Sequence, residues 1–499
     1  MPEHQISIEK AENDLLACAA LLAENIKSSD GHGEAMLEIV PFYLEKGEVD
    51  LAAQLADAIE DPFVRDRLLT VTAEKCAAID DDEYAFQLVE SIEDYSSQGA
   101  ARERIAVQKS AKGEFEKALR IADSLDHADD AFAAIAVRQV VAGDETNALK
   151  TIEKIDLANA KVNALQNIAL LNLQKGETAK AVEYLDKAAA TAAEIEFVEE
   201  KIRAFTQIGN LFVEIERRDR AIETLDRAKT FAEKLDNFHR EFLLANAALG
   251  FLRAGSLELA DRTLDLVSDK TQIASCLSGF AQIFWSNDEK TEALETLEEA
   301  YAILKSQRET ETRDSRAKFQ VFGAIASQFA RFEKAERAIE IAQENVDETE
   351  KTAALAQIAQ VCTLQGRDEL ARQSISAMGD DTQKMFALIG VSDAKNKLNE
   401  RDKAIGLLNE AAALSETVPQ FASRSTAYNE LAARFLKYGE SERAREISFE
   451  NLTIISQIRD ESSRAVALSQ LAGIYEQAEF TLNEAEKSIL RTMIKKALN

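Results

Sequence analysis

Proline is nearly missing from this 499-residue chain: Pro2, Pro41, Pro62 and Pro419 are the whole complement. No Pro/Gly/Ser-rich or low-complexity tract interrupts the sequence, so the linkers that mark separate domains are missing as well. A single core stops growing beyond roughly 250–300 residues, and a chain of this length without linkers is expected to be a continuous repeat array. Cysteine is just as scarce. Cys18, Cys76, Cys276 and Cys362 lie far apart, each inside an apolar helical pattern and without a Cys-x-x-Cys. That distribution predicts small buried thiols in a reducing compartment, with no disulfide and no metal site. No apolar run approaches the roughly 18 residues of a membrane-spanning helix. The run from Leu15 to Ala23 is short, flanked by Glu9, Glu12, Asp14 and Glu24 and preceded by a single Lys10, unlike a secretory signal. A cytoplasmic location is expected.

Alanine, leucine, glutamate and lysine dominate, and aromatic residues make up only 6%. This is a helix-forming mixture with few β-branched runs at period two, and it predicts an all-α fold. The formal charge is −30. Nucleic acids and anionic membranes are bound chiefly through Lys and Arg, so both are expected to be excluded as partners. A neutral or basic protein or peptide segment is the partner such a surface accepts.

In IALLNLQKGETAKAVEYL (168–185), Gly176 precedes Ala181 by five places, and that spacing recurs. Anchor alanines stand at Ala52, Ala85, Ala118, Ala148, Ala181, Ala221, Ala260, Ala293, Ala338, Ala371, Ala404, Ala444 and Ala485, with spacings between 30 and 45 residues. Glycine lies five before the anchor at Gly47, Gly113, Gly143, Gly176, Gly255, Gly366 and Gly439. This is where a helix ending in a left-handed residue favours the side chain without a Cβ. In the last unit that place is held by Phe480. Twelve before the anchor a second small residue recurs, as in Ala136, Ala169, Gly209, Ala248, Ala281 and Ala432. Two antiparallel helices joined by a short turn bring the two small positions face to face and let the backbones approach. Large apolar residues sixteen before the anchor (Leu165, Phe205, Leu244) and four after it (Leu185, Leu225, Leu264) complete an amphipathic stripe. One hairpin cannot bury its stripe alone, so neighbours are expected to stack. Units of 40 rather than 33 residues gain about two helical turns, which predicts longer helices rather than longer loops.

This spacing of small residue, turn glycine, anchor alanine and trailing apolar residue resembles the tetratricopeptide repeat, across roughly residues 34–499. The proline that often closes such a unit is generally absent, with turns such as KID (154–156) in its place. The aromatic near the end of the first helix appears as Phe212, Phe251, Phe284, Phe329 and Phe435. The resemblance implies a right-handed superhelical α-solenoid of about thirteen antiparallel helix-pair repeats. Residues 1–33 are expected to supply a capping helix and an SSDGHG loop ahead of the continuous array 34–499. The polar stretch 305–316 is expected as an irregular loop or slight break.

Acidic and histidine-containing stretches are weighed against capping. Asp80, Asp81, Asp82 and Glu83 lack the alternation, central Gly and twelfth-position Glu of a calcium loop, and are expected to favour the N-terminus of the next helix. His127 beside Asp126, Asp129 and Asp130 has no second His within a helical turn and reads as a repeat boundary. The GHG of 31–33 follows no strand, and His4, His32, His127 and His239 are scattered. No catalytic residue, metal site or cofactor is expected.

If the pairs stack as in tetratricopeptide arrays, the concave groove is lined by positions about eighteen, fifteen, eleven and eight before each anchor. They include Asn163, Gln166, Arg203, Asn210, Gln282, Trp285, Gln320, Gln360 and Asn429, with Asn246 one place off register. Leu170, Leu173, Phe242, Leu249 and Leu252 lie between them. Asp and Glu are nearly absent from this stripe in mid-chain, where a merely solvated face of so acidic a chain would collect them. Amide side chains can bond both N–H and C=O of an extended peptide. Packing between successive repeats is the alternative role for the same residues. Family members that clamp a C-terminal carboxylate use Asn with Lys and Arg; Asn210 and Asn246 fall at or near such places, but Thr206, Ser275 and Gly279 stand where basic residues are wanted. That ligand is not expected. The expected role is a scaffold or adaptor, not an enzyme. The alternatives are a regulatory or substrate-recruiting arm of an enzyme complex with catalysis on a partner chain, and a hydrolase built inside helical repeats.

Overall fold

The computed structural model describes residues 5–307 and 315–498, which form 28 helices and, among the described residues, no strand. Two leading helices, α1 (Ile8–Ala11) and α2 (Leu15–Glu24), precede thirteen pairs. The first pairs are α3 (Ser29–Glu45) with α4 (Val49–Asp57), α5 (Pro62–Ala78) with α6 (Asp82–Ser91), α7 (Tyr95–Ala111) with α8 (Phe115–Ala122), and α9 (Asp129–Val141) with α10 (Glu145–Glu153). Then come α11 (Ala158–Gln174) with α12 (Thr178–Ala192), α13 (Val198–Glu214) with α14 (Arg218–Ala232), α15 (His239–Arg253) with α16 (Leu257–Leu264), and α17 (Lys270–Ser286) with α18 (Lys290–Ser306). The remaining pairs are α19 (Ser315–Arg331) with α20 (Ala335–Glu344), α21 (Glu348–Leu364) with α22 (Asp368–Ser376), α23 (Asp381–Lys397) with α24 (Arg401–Ser415), α25 (Phe421–Lys437) with α26 (Ser441–Ile455), and α27 (Glu461–Gln477) with α28 (Glu484–Ala497). The polar stretch expected as a break falls partly at 308–314, outside the described residues.

Every first helix ends two residues before a left-handed residue. Seven are the glycines marked by the spacing, with φ of 74–84°, and six are Asp80, Glu216, Asp288, Glu333, Asn399 and Glu479, with φ of 54–68°. At Gly176 the Glu177 N–H donates to the Asn172 carbonyl at 2.8 Å and the Gly176 N–H to Leu173 at 2.9 Å, the paired bonds of a Schellman closure. Twelve anchors, from Ala52 to Ala444, are no more than 3% exposed. The small position opposite is equally tight: a Cβ on Gly209 would lie 2.7 Å from Leu225 Cγ, so a larger residue there forces the hairpin open. Most first helices run 17 residues, whereas second helices are either 8–10 or 14–17 residues long. The longer repeats are therefore filled by two extra turns of the second helix.

Two compact units are described separately, residues 1–105 with 359–499, and residues 106–358. In the second unit the first helices pack in succession, α9 on α11, then α13, α15, α17 and α19, while α12, α14 and α18 pack on the first helix that follows. This is the tetratricopeptide-like arrangement of stacked helix pairs, an all-α solenoid. A clamp recurs between its pairs. Asp129, nineteen before its anchor, accepts the N–H groups of Asp156 (2.6 Å) and Leu157 (2.8 Å), and Glu241 accepts those of Ser268 and Asp269. Each carboxylate thus caps the loop entering the next first helix.

In the other unit, sequence-distant helices complete the stack. α27 packs on α3, and it packs on α2 as closely as other first helices pack on their own second helices, while α28 packs on α1, α2 and α26. The helix expected as a cap therefore occupies the second-helix place beside α27, and Leu15–Ala23 is buried throughout, as an all-round apolar helix must be. Ser462 Oγ donates to Glu34 at 2.7 Å, and Arg491 faces Glu12 at 3.4 Å. The expected SSDGHG loop is not a loop: Ser28 caps α3, and Ser29–Gly33 form its first turns. The thirteenth anchor also fails. Ala485 is exposed, because the turn after Glu479 is longer and α28 begins only at Glu484. Glu486 is buried instead, where it accepts from the Tyr475 hydroxyl (2.5 Å), Arg445 (2.7 Å) and the Asn483 N–H (2.7 Å).

Candidate first-helix binding face

The four rows of the expected groove separate once side chains are in place. Eighteen before the anchor, Asn163, Arg203, Ser275 and Gln320 are all exposed, as is Phe242. Fifteen before it, Gln166 and Thr206 are buried, because this row points into the seam between successive first helices. Ser278 in the same row is tied to Gln328, whose Nε2 donates to the Ser278 carbonyl at 2.9 Å. Eleven before the anchor, Asn210 is half-buried and Gln282 exposed, while a Cβ on Gly279 would meet Leu249 at 2.4 Å. Leu249 is thus an inter-repeat contact, not a pocket wall. Asn246, off register, is half-buried.

Two amides on this face have buried polar atoms without a hydrogen-bond partner, Gln166 Nε2 on α11 and Asn210 Oδ1 on α13. Such atoms cost about 1–3 kcal/mol each when left unpaired. Trp285 is half-buried and stacks on Phe332, centroids 4.4 Å apart and planes 9° apart, with Lys290 Nζ 5.3 Å from its ring. One indole face is therefore a repeat-to-repeat contact.

Gln360 and Asn429 lie in the other unit. Gln360 is exposed, but its side chain lies against Gly390, where an added Cβ would sit 2.4 Å from Nε2. Asn429 is 7% exposed; its Nδ2 donates to the Ala467 carbonyl (3.4 Å) and Gln470 (3.3 Å), and its Oδ1 accepts from Asn451 (2.7 Å). Asn429 is a pair-to-pair bridge and does not present its amide to a groove. No local spacing signals this, because Asn451 and Gln470 sit on later helices.

The acidic and histidine stretches serve as turns. Asp80 is the left-handed residue of its hairpin and Asp81 caps α6 through the Tyr84 N–H at 3.2 Å. His127 is exposed while its neighbour Asp129 makes the clamp described above. Burial lowers the pKa of His32, which lies within α3. All four cysteines are buried. Burial pushes Cys276 up to about 12 and, with Asp81 and Asp50 adding to it, Cys76 up to about 11, so both stay thiols at neutral pH. Among the described residues no three His, Cys, Asp or Glu side chains gather as a metal site, and no helix is long and apolar enough to cross a membrane.

No known family's sequence pattern matches the chain, and no curated protein matches it. Solved structures that match include Ton1535 from Thermococcus onnurineus NA1, with 17% identity over 71% of this chain and 98% of that one and a TM-score of 0.26. Aspartyl phosphate phosphatase F from Bacillus subtilis matches with 12% identity over 87% and 96% of the two chains and a TM-score of 0.27. The APC/C hetero-tetramer Cut9-Hcn1 matches with 13% identity over the full length of both chains and a TM-score of 0.22. Likeness at this level carries nothing about function, and the fold assignment rests on the chain's own helix pairs.

Proposed function

We propose that this chain is a scaffold or adaptor that binds an extended protein segment, neutral or basic, along the first-helix face of residues 106–358. The carrying observation is the composition of that face: on the four rows of the five repeats anchored from Ala181 to Ala338, no Asp or Glu occurs in a chain of net charge −30. Asn210 adds a buried polar atom that lacks a partner, and Asn163, Arg203, Gln282 and Gln320 are exposed. Amides spaced along successive first helices bond the N–H and C=O groups of an extended backbone whatever its side chains. Trp285, half-buried with Phe332 stacked on its ring and Lys290 Nζ over it, lies on the same face and reports on it.

The test is a fluorescence titration, read at the only tryptophan, with peptides of equal length and neutral, basic or acidic composition. Neutral or basic peptides are expected to shift the emission. Trp285→Ala and Asn210→Leu, each checked for folding, are expected to weaken binding at least tenfold, about 1.4 kcal/mol or more. Preference for acidic peptides, or unaltered affinity in both folded variants, overturns the reading.

A further inference from the structure

The first helices of three consecutive repeats begin in a way that local stability disfavours. The N-cap residues of α11, α13 and α15 are Leu157, Phe197 and Phe238, and none of their side chains bonds a backbone N–H of its helix. On other first helices the place is held by aspartate: Asp61, Asp269, Asp380 and Asp460 cap α5, α17, α23 and α27. Losing such a cap destabilises a helix. The apolar side chains that stand in its place are not buried in exchange. Leu157 is 55% exposed, Phe197 68% and Phe238 71%, the last while resting on His239 with ring centroids 3.8 Å apart. Exposed apolar residues scattered singly are ordinary, but three at one register on helices that pack in succession form a row. The row is held in place. Ile155 and Ile195, two residues before Leu157 and Phe197, are buried; Asp129 accepts the Leu157 N–H at 2.8 Å, and Asn237, beside Phe238, donates to Glu199 of α13 at 2.7 Å. Two local rules broken together, capping and burial, mark a surface kept for binding.

The surroundings of the row select its partner. In the loops 154–157, 193–197 and 233–238 the exposed carboxylates are Asp156, Glu194, Glu196, Glu233 and Asp236, against the exposed cations Lys154 and Lys234. Glu233 is paired with Lys229 (3.1 Å) and Lys154 with Asp123 (2.6 Å), while Asp156, Glu194, Glu196 and Asp236 join no ion pair among the described residues. The repeat distance selects the partner's conformation. Packed neighbouring helices lie about 8–10 Å apart. Seven residues of α-helix rise about 10.5 Å and return nearly to the same face, so a helix with apolar residues one heptad apart meets all three members of the row. An extended strand returns to the same face about every 6.7 Å and falls out of step.

We propose that Leu157, Phe197 and Phe238 dock the apolar face of a basic amphipathic helix from a partner protein, whose flanking Lys and Arg side chains meet the carboxylates of the three loops. The row lies at the N-terminal ends of the first helices and shares no residue with the four rows of the peptide face, so either surface stands without the other.

The probe is a labelled helical peptide of about 21 residues with leucines at the first and fourth places of each heptad and lysines elsewhere, titrated by fluorescence anisotropy into the full chain at physiological salt. It is expected to bind at least tenfold more tightly than a peptide of the same composition whose leucines are spread around the helix. Phe197→Ser with Phe238→Ser is expected to lower that affinity at least tenfold, and Trp285→Ala, which tests the other face, to leave it unchanged. Leu157→Ser and Phe197→Ser place a capping residue where the backbone is already extended and are expected to raise the melting temperature, the opposite of what a packing role gives. The proposal is overturned if the two peptides bind equally, if the folded double variant keeps the wild-type affinity, if both single serine variants melt lower than wild type, or if the chain binds phosphatidylglycerol vesicles through Phe197 and Phe238 in place of the peptide.

Discussion

Helices α11 and α27 are both 17-residue first helices, yet one is closed by the helix that follows it and the other by a helix from the far end of the sequence. Beside α11, Ala181 of α12 meets the small face and the turn through Gly176 fixes the register. Beside α27, the comparable place is taken by the alanine-rich α2, while α28 packs elsewhere and buries Glu486 in a polar network. The first helix therefore specifies a small, apolar neighbour but not its origin. A short turn makes the sequence neighbour win because loop closure costs least there; the longer turn before Glu484 releases that constraint.

The contrast is broken most severely in α2. Leu21 is 1% exposed, and Leu21→Ala should cost about 2–5 kcal/mol of unfolding free energy, measured by urea denaturation. A change below about 0.5 kcal/mol, as for a surface site, would show that α2 does not complete the core around α27. The two formal anchors separate next. Ala181→Leu should cost about 1–3 kcal/mol through overpacking, whereas the exposed Ala485 and Ala179 should tolerate leucine within about 0.5 kcal/mol; equal costs at Ala181 and Ala485 would erase the distinction. The smallest effects concern the turns. Gly176→Ala places a Cβ at positive φ and should cost about 1–2 kcal/mol, while Glu216→Gly relieves the same strain and should gain about 0.5–1 kcal/mol in thermal or urea unfolding. If both substitutions destabilise equally, the left-handed turn is not the shared closing element.

Much of this architecture is readable from spacing. Twelve anchors, all seven turn glycines and the lengthened second helices follow from local constraints, because a hairpin with a two-residue closure has one register that pairs small faces. Ala485 misleads because Phe480 holds the place of a turn residue while the chain turns at Glu479. Asn483 and Glu486 form a capping box at the true start of α28, a signal present in the sequence. The first-helix face is legible only in part. Its polar composition is written in the sequence, but Gln166, Thr206 and Asn429 are buried because one of its four rows turns into the seam between neighbouring first helices.

By itself the sequence determined the helix periods, the hairpin turns and the residues that must be small, since each depends on contacts within one repeat. Only the tertiary structure decided that α2 closes against α27 and that one polar row is a seam. Those outcomes depend on how one pair is set against another, and side-chain burial between pairs is fixed by packing across chain separations that no local period encodes.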